Sequence, residues 1–233
     1  MKIVILGVGN VGTNLHHALE LKGVNAILHS SRQLGDLPDA DCYIYAVADN
    51  ALREVVSTVH APKALHLHTS GTMPVEVFGE DKPHAGVLYF FQSFSKSSLI
   101  DDWSGIPVFI EGKNIDDIAA IYTLAQMLSN HIYECSQRDR ERLHVAGVFA
   151  NNFTNLMYCM AKDILSDTQI PFAALLPLID QTAAKVHSLA PKDAQTGPAK
   201  RHDENVMAHH LEVLKNQEQK EVYQLLSRLI AKN

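Results

Sequence analysis

The sequence has few of the features that mark secreted, membrane or nucleic-acid-binding proteins. Its three cysteines, Cys42, Cys135 and Cys159, are an odd number without CxxC spacing, which favours reduced thiols and a cytoplasmic protein. No apolar run approaches the roughly 20 residues that cross a bilayer, and we expect neither a signal peptide nor a membrane partner. No Lys/Arg run accompanies the net charge of −6, so nucleic acid is not an expected partner.

What the chain does contain is a change of pattern near its middle. Up to residue 135, short apolar strands alternate with helical patterns, which is typical of a mostly parallel, doubly wound sheet. After Ser136 no convincing strand remains, and we predict helices at about 138–166, 172–189, 200–215 and 217–231. The sequence therefore predicts an α/β domain at 1–136 and an all-helical domain at 137–233.

A glycine pattern follows the first strand directly and opens the first helix. In "ILGVGNVGTNL", Gly7 permits a tight turn, Gly9 lets the backbone approach a pyrophosphate, and Gly12 lets the helix pack on the strand. The pyrophosphate would then lie on the helix N-terminus at Asn10 and Val11. The pattern predicts a Rossmann-type dinucleotide site; the alternative is a glycine turn kept only for close packing.

The residues at the ends of the next strands indicate which dinucleotide binds. The second strand ends in Ser30, Ser31 and Arg32, with no acid to accept the ribose hydroxyls of NAD. Hydroxyls and a guanidinium instead suit a 2′-phosphate, so NADP is favoured over NAD. Arg32 as a simple solvated loop residue is the alternative. Further candidates at the sheet edge beside the cofactor are Val47, Ala48, Thr69 and Ser70.

The stretch "RERLHVAGVFANNFTNLMYCMA" (140–161) is helical in pattern but carries polar residues on its apolar body. At about 100° per residue, His144, Val148, Asn151, Asn152 and Asn155 share one face. Such a stripe is either buried polar structure or one wall of a site.

Six motifs in order across the chain resemble one family of bacterial proteins. They are "GVGNVG", "LHTSGT", "FQSFS", "HVAGVFANNF", "LLPLI" and "TGPAKRHD". The family joins a Rossmann-like domain to a C-terminal helical domain of unknown function and belongs with the 6-phosphogluconate dehydrogenase-like and pyrroline-5-carboxylate reductase-like proteins. The resemblance implies an NADP-binding domain, a helical domain that often dimerises, and an oxidoreductase activity without a defined substrate.

The chain departs from its relatives at two places that bear on chemistry. Many relatives read "HPLQSF" where this chain has "YFFQSF", so Tyr89 and Phe90 replace His and Pro, while Gln92 and Ser93 are retained as candidate substrate-binding residues. Related hydroxyacid dehydrogenases carry K-x-x-N-N, with the lysine as acid/base. Laid on that pattern, "VFANN" places Asn151 and Asn152 on the asparagines and Val148 on the lysine. Valine cannot transfer a proton, which disfavours a lysine-driven reaction.

His144 lies one helical turn before Val148 and is the candidate proton donor, because an imidazole gains and loses a proton near neutral pH. Asn151 or Asn152 would orient a substrate carbonyl or the nicotinamide carboxamide. The alternatives are a half-buried histidine bonded to a backbone carbonyl and asparagines that bond between helices. Arg201, after Gly197-Pro198 in the first turn of the next helix, would clamp a substrate carboxylate, or else pair with an acid such as Asp203.

Two functions compete. The first is an NADP-dependent oxidoreductase acting on a small carbonyl, imine or hydroxy compound in the interdomain cleft, with His144, Asn152 and Ser70 as catalytic candidates. The second is a non-catalytic dinucleotide-binding sensor or regulatory subunit. A homodimer through the helical domain is expected, although the apolar spacing of the last helices fits ordinary packing equally well. No HExxH or Cys/His spacing supports a metal.

Overall fold

A computed structural model describes residues 1–35 and 37–232. The chain divides into two compact units, Met1–Asn151 and the residues from Asn152 onward. The predicted domains also include Asp36 and Asn233, which lie outside the described residues. The change from mixed to helical structure follows the last strand, near Ser136 as the sequence predicts, whereas the compact units divide within the helix that comes next.

The first unit is built on a seven-stranded sheet in the order β2-β1-β3-β4-β5-β6-β7. The strands are β1 (Lys2–Leu6), β2 (Asn25–His29), β3 (Cys42–Tyr45), β4 (Leu65–His68), β5 (Ala85–Phe90), β6 (Val108–Gly112) and β7 (Ile132–Glu134). Strands β1 to β5 are parallel, β6 is antiparallel to β5, and β7 is parallel to β6. The predicted α/β class with a Rossmann-type sheet is confirmed.

Helices cover both faces of this sheet, as parallel strands require. The helices of this unit are α1 (Asn10–Leu21), α2 (Asp49–Thr58), α3 (Ile115–Gln126) and α4 (Gln137–Gly147), with a 3₁₀ turn at Val75–Phe78. Successive residues of β1 alternate between two cores because side chains in a strand point to opposite faces. Ile3 and Ile5 pack in the core that contains Leu15 of α1. Val4 packs in the core that contains Val55 of α2.

The register brings the carboxyl ends of four strands to one edge of the sheet. Leu6 of β1 lies level with His29 of β2 and with Tyr45 of β3, and Tyr45 lies level with His68 of β4. Strand β2 pairs with one edge of β1, and the chain then crosses over so that β3 pairs with the other edge of β1. In open α/β sheets, ligands bind in the crevice formed where the strand order reverses in this way.

The long helix predicted at 138–166 is present, but it is not α-helical throughout. Helix α4 continues into a π-helical segment, Val148–Phe153, and then into α5 (Thr154–Ile164). A π turn closes i→i+5 hydrogen bonds and so contains an additional residue. The single α-helical face predicted for 144, 148, 151, 152 and 155 is therefore wrong in its geometry, because the spacing changes after Gly147.

The second unit is helical in its described residues, with no strand. It contains α5, α6 (Leu176–Lys185), α7 (Pro191–Ala194), α8 (Glu204–Val213) and α9 (Gln217–Lys232), with a 3₁₀ turn at Phe172–Leu175. Among its described residues only Ala199 and Leu214 are buried, whereas many leucines and isoleucines are exposed. In the described part of the whole chain, no helix has both the length and the apolar character needed to cross a membrane.

Candidate functional site

The three glycines that follow β1 differ in what surrounds them. Gly7 has φ of 122°, and a Cβ there would lie 2.2 Å from the Ala46 carbonyl oxygen. A Cβ on Gly12 would lie 1.9 Å from the Gly7 carbonyl oxygen. Close packing therefore explains glycine at 7 and 12. A Cβ on Gly9 would meet nothing nearer than the Ala46 oxygen at 3.9 Å, so this position opens on free space.

The space beside Gly9 is a cavity of about 840 Å³ at the carboxyl ends of β1, β2 and β3. Ser30, Ser31 and Arg32 line it at the end of β2, and Lys96 lines it from a later loop. The Ser30 hydroxyl accepts a hydrogen bond from the Arg32 backbone N–H at 3.3 Å, which shapes this loop. One carboxylate residue, Glu54, also lies in the lining.

A second cavity, of about 410 Å³, lies on the other side of Gly9. The two cavities share Gly9 and residues 46–48 as lining. Those residues follow β3 directly, where the Ala46 N–H donates to the Leu6 carbonyl at 2.8 Å. Other residues line the second cavity: Asn10, Val11, Asp49, Thr69, Ser70, Gly71, Tyr89, Phe90, Gln92 and His144. Two adjoining cavities that meet at a glycine fit a molecule of two nucleotide halves joined by a pyrophosphate.

His144 and Tyr89 form a pair in this second cavity. His144 Nδ1 and Tyr89 Oη lie 3.1 Å apart, within hydrogen-bond distance. A Cβ on Gly71 would lie 2.7 Å from His144 Nδ1 and 3.0 Å from Tyr89 Cζ, so glycine at 71 leaves room for the pair. Burial raises the pKa of Tyr89, and the Arg140 charge partly offsets that rise. The partner of His144 Nδ1 is thus a phenol, and not the backbone carbonyl of the alternative interpretation.

Arg140 fixes the beginning of the helix that carries His144. Its side chain is buried, forms an ion pair with Glu111 of β6, and donates to the Met73 carbonyl at 2.6 Å. Ser136 caps α4 by accepting a hydrogen bond from the Asp139 N–H at 3.3 Å. Helix α4 is therefore anchored to the sheet and to the loop after β4, one turn before His144.

Ser70 stabilises the loop that borders the second cavity. Its hydroxyl accepts hydrogen bonds from the backbone N–H groups of Thr72 at 3.1 Å and Met73 at 3.0 Å. Its own N–H donates to His68 Nδ1 at 3.2 Å. Burial, together with the Arg140 charge, lowers the pKa of His68 to about 4. His68 is therefore a neutral acceptor that holds Ser70 at the cavity wall.

The other sequence candidates lie at different places. Ser93 is exposed and donates its N–H to the Gln92 side chain at 2.7 Å, and neither Ser93 nor Asn151 lines either cavity. Asn152 and Arg201 belong to the second unit and are exposed. The placement of Arg201 in the first turn of a helix is wrong: α8 begins at Glu204, because the Asp203 carboxylate caps it by accepting from the Val206 N–H at 3.3 Å.

Three residues at the site carried no functional assignment from the sequence. For Tyr89, the available signal was that "YFFQSF" differs from the "HPLQSF" expected from the family resemblance. Arg140 resembles a solvated surface charge in the sequence, because its partner Glu111 is 29 positions away along the chain. Lys96 is brought to the site by its backbone N–H, which bonds to the side chain of Asn10, 86 positions away. Groups of three or more metal-ligating side chains do not occur among the described residues.

A family model described as a domain of unknown function, DUF2520, matches residues 106–230. A solved structure from Bacteroides fragilis is 38% identical and covers 100% of this chain and 98% of its own, with a TM-score of 0.94. The chain belongs to the DUF2520 family. The resemblance of the six motifs to that family is thereby confirmed.

More distant structures share the fold of this DUF2520 protein. A Thermotoga maritima protein is 17% identical, covers 99% of this chain and 97% of its own, and has a TM-score of 0.75. A reductive aminase from Aspergillus terreus, solved with NADPH and ethyl levulinate, is 15% identical, covers 99% and 92%, and has a TM-score of 0.69. At these identities the likeness shows the fold alone. No curated protein matches the sequence.

Proposed function

We propose that this DUF2520 protein is an NADP-dependent oxidoreductase acting on a small carbonyl, imine or hydroxy compound. The observation that carries the proposal is the pair of adjoining cavities, one lined by Arg32 and the other by His144, that meet at Gly9. The Bacteroides fragilis protein, which is provisionally described as an NADP oxidoreductase, supports it.

The residues present fit a dinucleotide. Gly9 leaves space at the N-terminus of α1, where free N–H groups and the helix dipole favour a pyrophosphate. Ser30, Ser31 and Arg32 offer donors for a 2′-phosphate in the larger cavity. The smaller cavity would take the nicotinamide half. When bound, NADP would supply the hydride donor or acceptor.

The protein's own part in the reaction is to handle a proton and to orient the substrate. His144 would donate or accept the proton at the reacting oxygen or nitrogen, and Tyr89 would fix the imidazole through Nδ1. Gln92 and Ser70 are placed to contact a substrate or the carboxamide in the same cavity. Asn151, Asn152, Ser93 and Arg201 stay proposed substrate residues.

Calorimetry and a turnover assay test this function together. We expect the protein to bind NADPH more tightly than NADH, and to consume NADPH with a member of a carbonyl and imine panel. The substitution His144→Gln should abolish turnover while leaving NADPH binding intact, with exposed His209→Gln as the control. Absence of binding to either dinucleotide would overturn the proposal.

A non-catalytic sensor is the second candidate, favoured by Val148 at the position of the superfamily's lysine. It predicts NADPH binding without consumption of any panel compound, and an effect of His144→Gln on stability alone. The same binding and turnover experiment therefore distinguishes the two functions.

We propose further that the helical unit forms a homodimer. A domain buries its own core, yet only two described residues of this unit are buried. Leu176 and Leu178 of α6 and Leu225, Leu226 and Leu229 of α9 are exposed. Burying these exposed apolar side chains against a second copy of the chain would be favourable. A two-fold symmetric dimer is the commonest arrangement that does so.

A further inference from the structure

Lys96 lies in a tight turn beside the first turn of α1. Its backbone N–H donates to the Asn10 side-chain oxygen at 3.2 Å. The Ser98 N–H donates to the Ser95 carbonyl at 3.4 Å, which closes the turn with Lys96 at its second position. Asn10 is the residue that follows Gly9, so the turn that bears Lys96 is bonded directly to the glycine segment.

A buried asparagine holds the same turn in place. Asn14 is fully buried and donates through Nδ2 to the Asn10 carbonyl at 2.9 Å and to the Ser95 carbonyl at 3.0 Å. Its Oδ1 accepts from the Ile100 N–H at 3.1 Å. Burying an amide without partners is costly, so these three bonds stabilise one position of the loop relative to α1.

The Lys96 side chain itself is exposed and lines the larger cavity together with Gly7, Val8 and Gly9. It takes part in none of the ion pairs found among residues 1–35 and 37–232. Glu54 lines the same cavity but forms no ion pair with Lys96. A cation at a cavity wall that is not paired with a carboxylate favours an anion in that cavity.

We propose that Lys96 binds the pyrophosphate of the dinucleotide, an inference that rests on the proposed cofactor. Lys96 is attached to the first residue of α1, the end of the cavity where a pyrophosphate would lie. Arg32 follows β2, at the end where a 2′-phosphate would lie. The two cations therefore serve different phosphates: Lys96 one that NADPH and NADH share, and Arg32 one that only NADPH carries.

Calorimetric Kd values of NADPH and NADH with matched variants test this assignment. We expect Lys96→Gln to weaken both dinucleotides by the same factor, about tenfold for the loss of one charge-assisted contact. Arg32→Gln should weaken NADPH selectively. Lys96→Arg should restore most of the affinity. Lys63→Gln, which removes an exposed lysine that lines neither cavity, should leave both Kd values unchanged.

The outcomes separate this assignment from the cofactor proposal. If the unaltered protein binds NADPH, and Lys96→Gln binds both dinucleotides as tightly as the unaltered protein does, the assignment is overturned while the proposed function stands. If Lys96→Gln weakens NADPH alone, Lys96 serves the 2′-phosphate and the assignment is again wrong. If the unaltered protein binds neither dinucleotide, the proposed function fails and takes the assignment with it. Thermal unfolding of Lys96→Gln should match that of the unaltered protein, because the side chain is exposed.

Discussion

At the scale of single residues, Gly12 is needed for packing, whereas Gly9 leaves space for a ligand. Gly12 packs against the Gly7 backbone, which cannot move aside without breaking the turn. Gly9 has an extended backbone, with φ of −76° and ψ of −174°, that alanine adopts readily, and its missing side chain leaves both cavities open. Only the second glycine of the motif is therefore free of a packing role.

We expect Gly12→Ala to lower the free energy of unfolding by about 3 kcal/mol or more, since overpacking against rigid backbone is at the upper end of such costs. Gly9→Ala should fold normally but bind NADPH much more weakly, because the methyl group would occupy pyrophosphate space. Denaturant unfolding and calorimetry on both variants check this. Gly105→Ala, where a Cβ meets nothing within 4 Å, is the control.

His68 links the stability of the first unit to pH. Its folded-state pKa of about 4 lies below the ordinary 6.5, because burial and the Arg140 charge disfavour the imidazolium. Between those values the unfolded chain takes up a proton that the folded protein does not. Stability is therefore fully present above about pH 6.5 and falls as the pH drops toward 4. Burial also lowers the pKa of His66, so His66 contributes a further loss of stability as the pH falls.

From pH 7 to pH 4 the free energy of unfolding decreases in both proteins. We expect this decrease to be about 3 kcal/mol smaller in His68→Asn than in the unaltered protein. Asparagine keeps an oxygen that can accept the Ser70 N–H but does not titrate in this range. Urea unfolding at the two pH values measures the difference. His209→Asn, at an exposed site, should leave the acid loss unchanged. An unaltered acid loss in His68→Asn would show that His68 is not the titrating group.

At the scale of elements, Arg140 determines where α4 begins against the sheet. The guanidinium reaches Glu111 in β6 and the Met73 carbonyl after β4, so one side chain connects three segments. Arg140 is buried and Glu111 is partly buried, so removing the guanidinium leaves a partly desolvated carboxylate without its partner. The position of His144 depends on this anchor.

We expect Arg140→Leu to lower the free energy of unfolding by about 3 kcal/mol. Arg142→Leu, on an exposed position of the same helix, should change it by less than about 1 kcal/mol. Guanidinium unfolding of the two variants side by side gives the comparison. Equal effects from both substitutions would contradict the anchoring role.

The π segment Val148–Phe153 shows how an element escapes prediction from sequence. The letters "VFANNF" have ordinary helical spacing, and no residue type demands an i→i+5 turn. Such segments are frequent at functional sites. This one contains Asn151 and Asn152, two of the candidate substrate-binding residues.

At the scale of the whole molecule, the helical unit's exposed apolar side chains predict its oligomeric state. Leu178, 65% exposed in the first turn of α6, should contribute to the proposed dimer interface. We expect Leu178→Asp to shift the protein toward monomer in sedimentation velocity, while unfolding of the monomer remains cooperative. Ile115→Asp, at a 74% exposed first-turn position of α3 in the other unit, is the matched control. A monomeric unaltered protein would refute the dimer.

Local sequence determined the strands, the glycine turn and the helical C-terminal part, because each depends on the spacing of apolar residues and on glycine within about ten positions. It also placed Thr69 and Ser70 at the end of a strand, on the edge of the sheet where the cofactor is expected. Only the tertiary structure decided that Tyr89 partners His144, that Arg140 is buried, and that Lys96 lies beside Gly9. Those contacts join residues 29 to 86 positions apart, and their energy depends on a folded surface that no short stretch of sequence encodes.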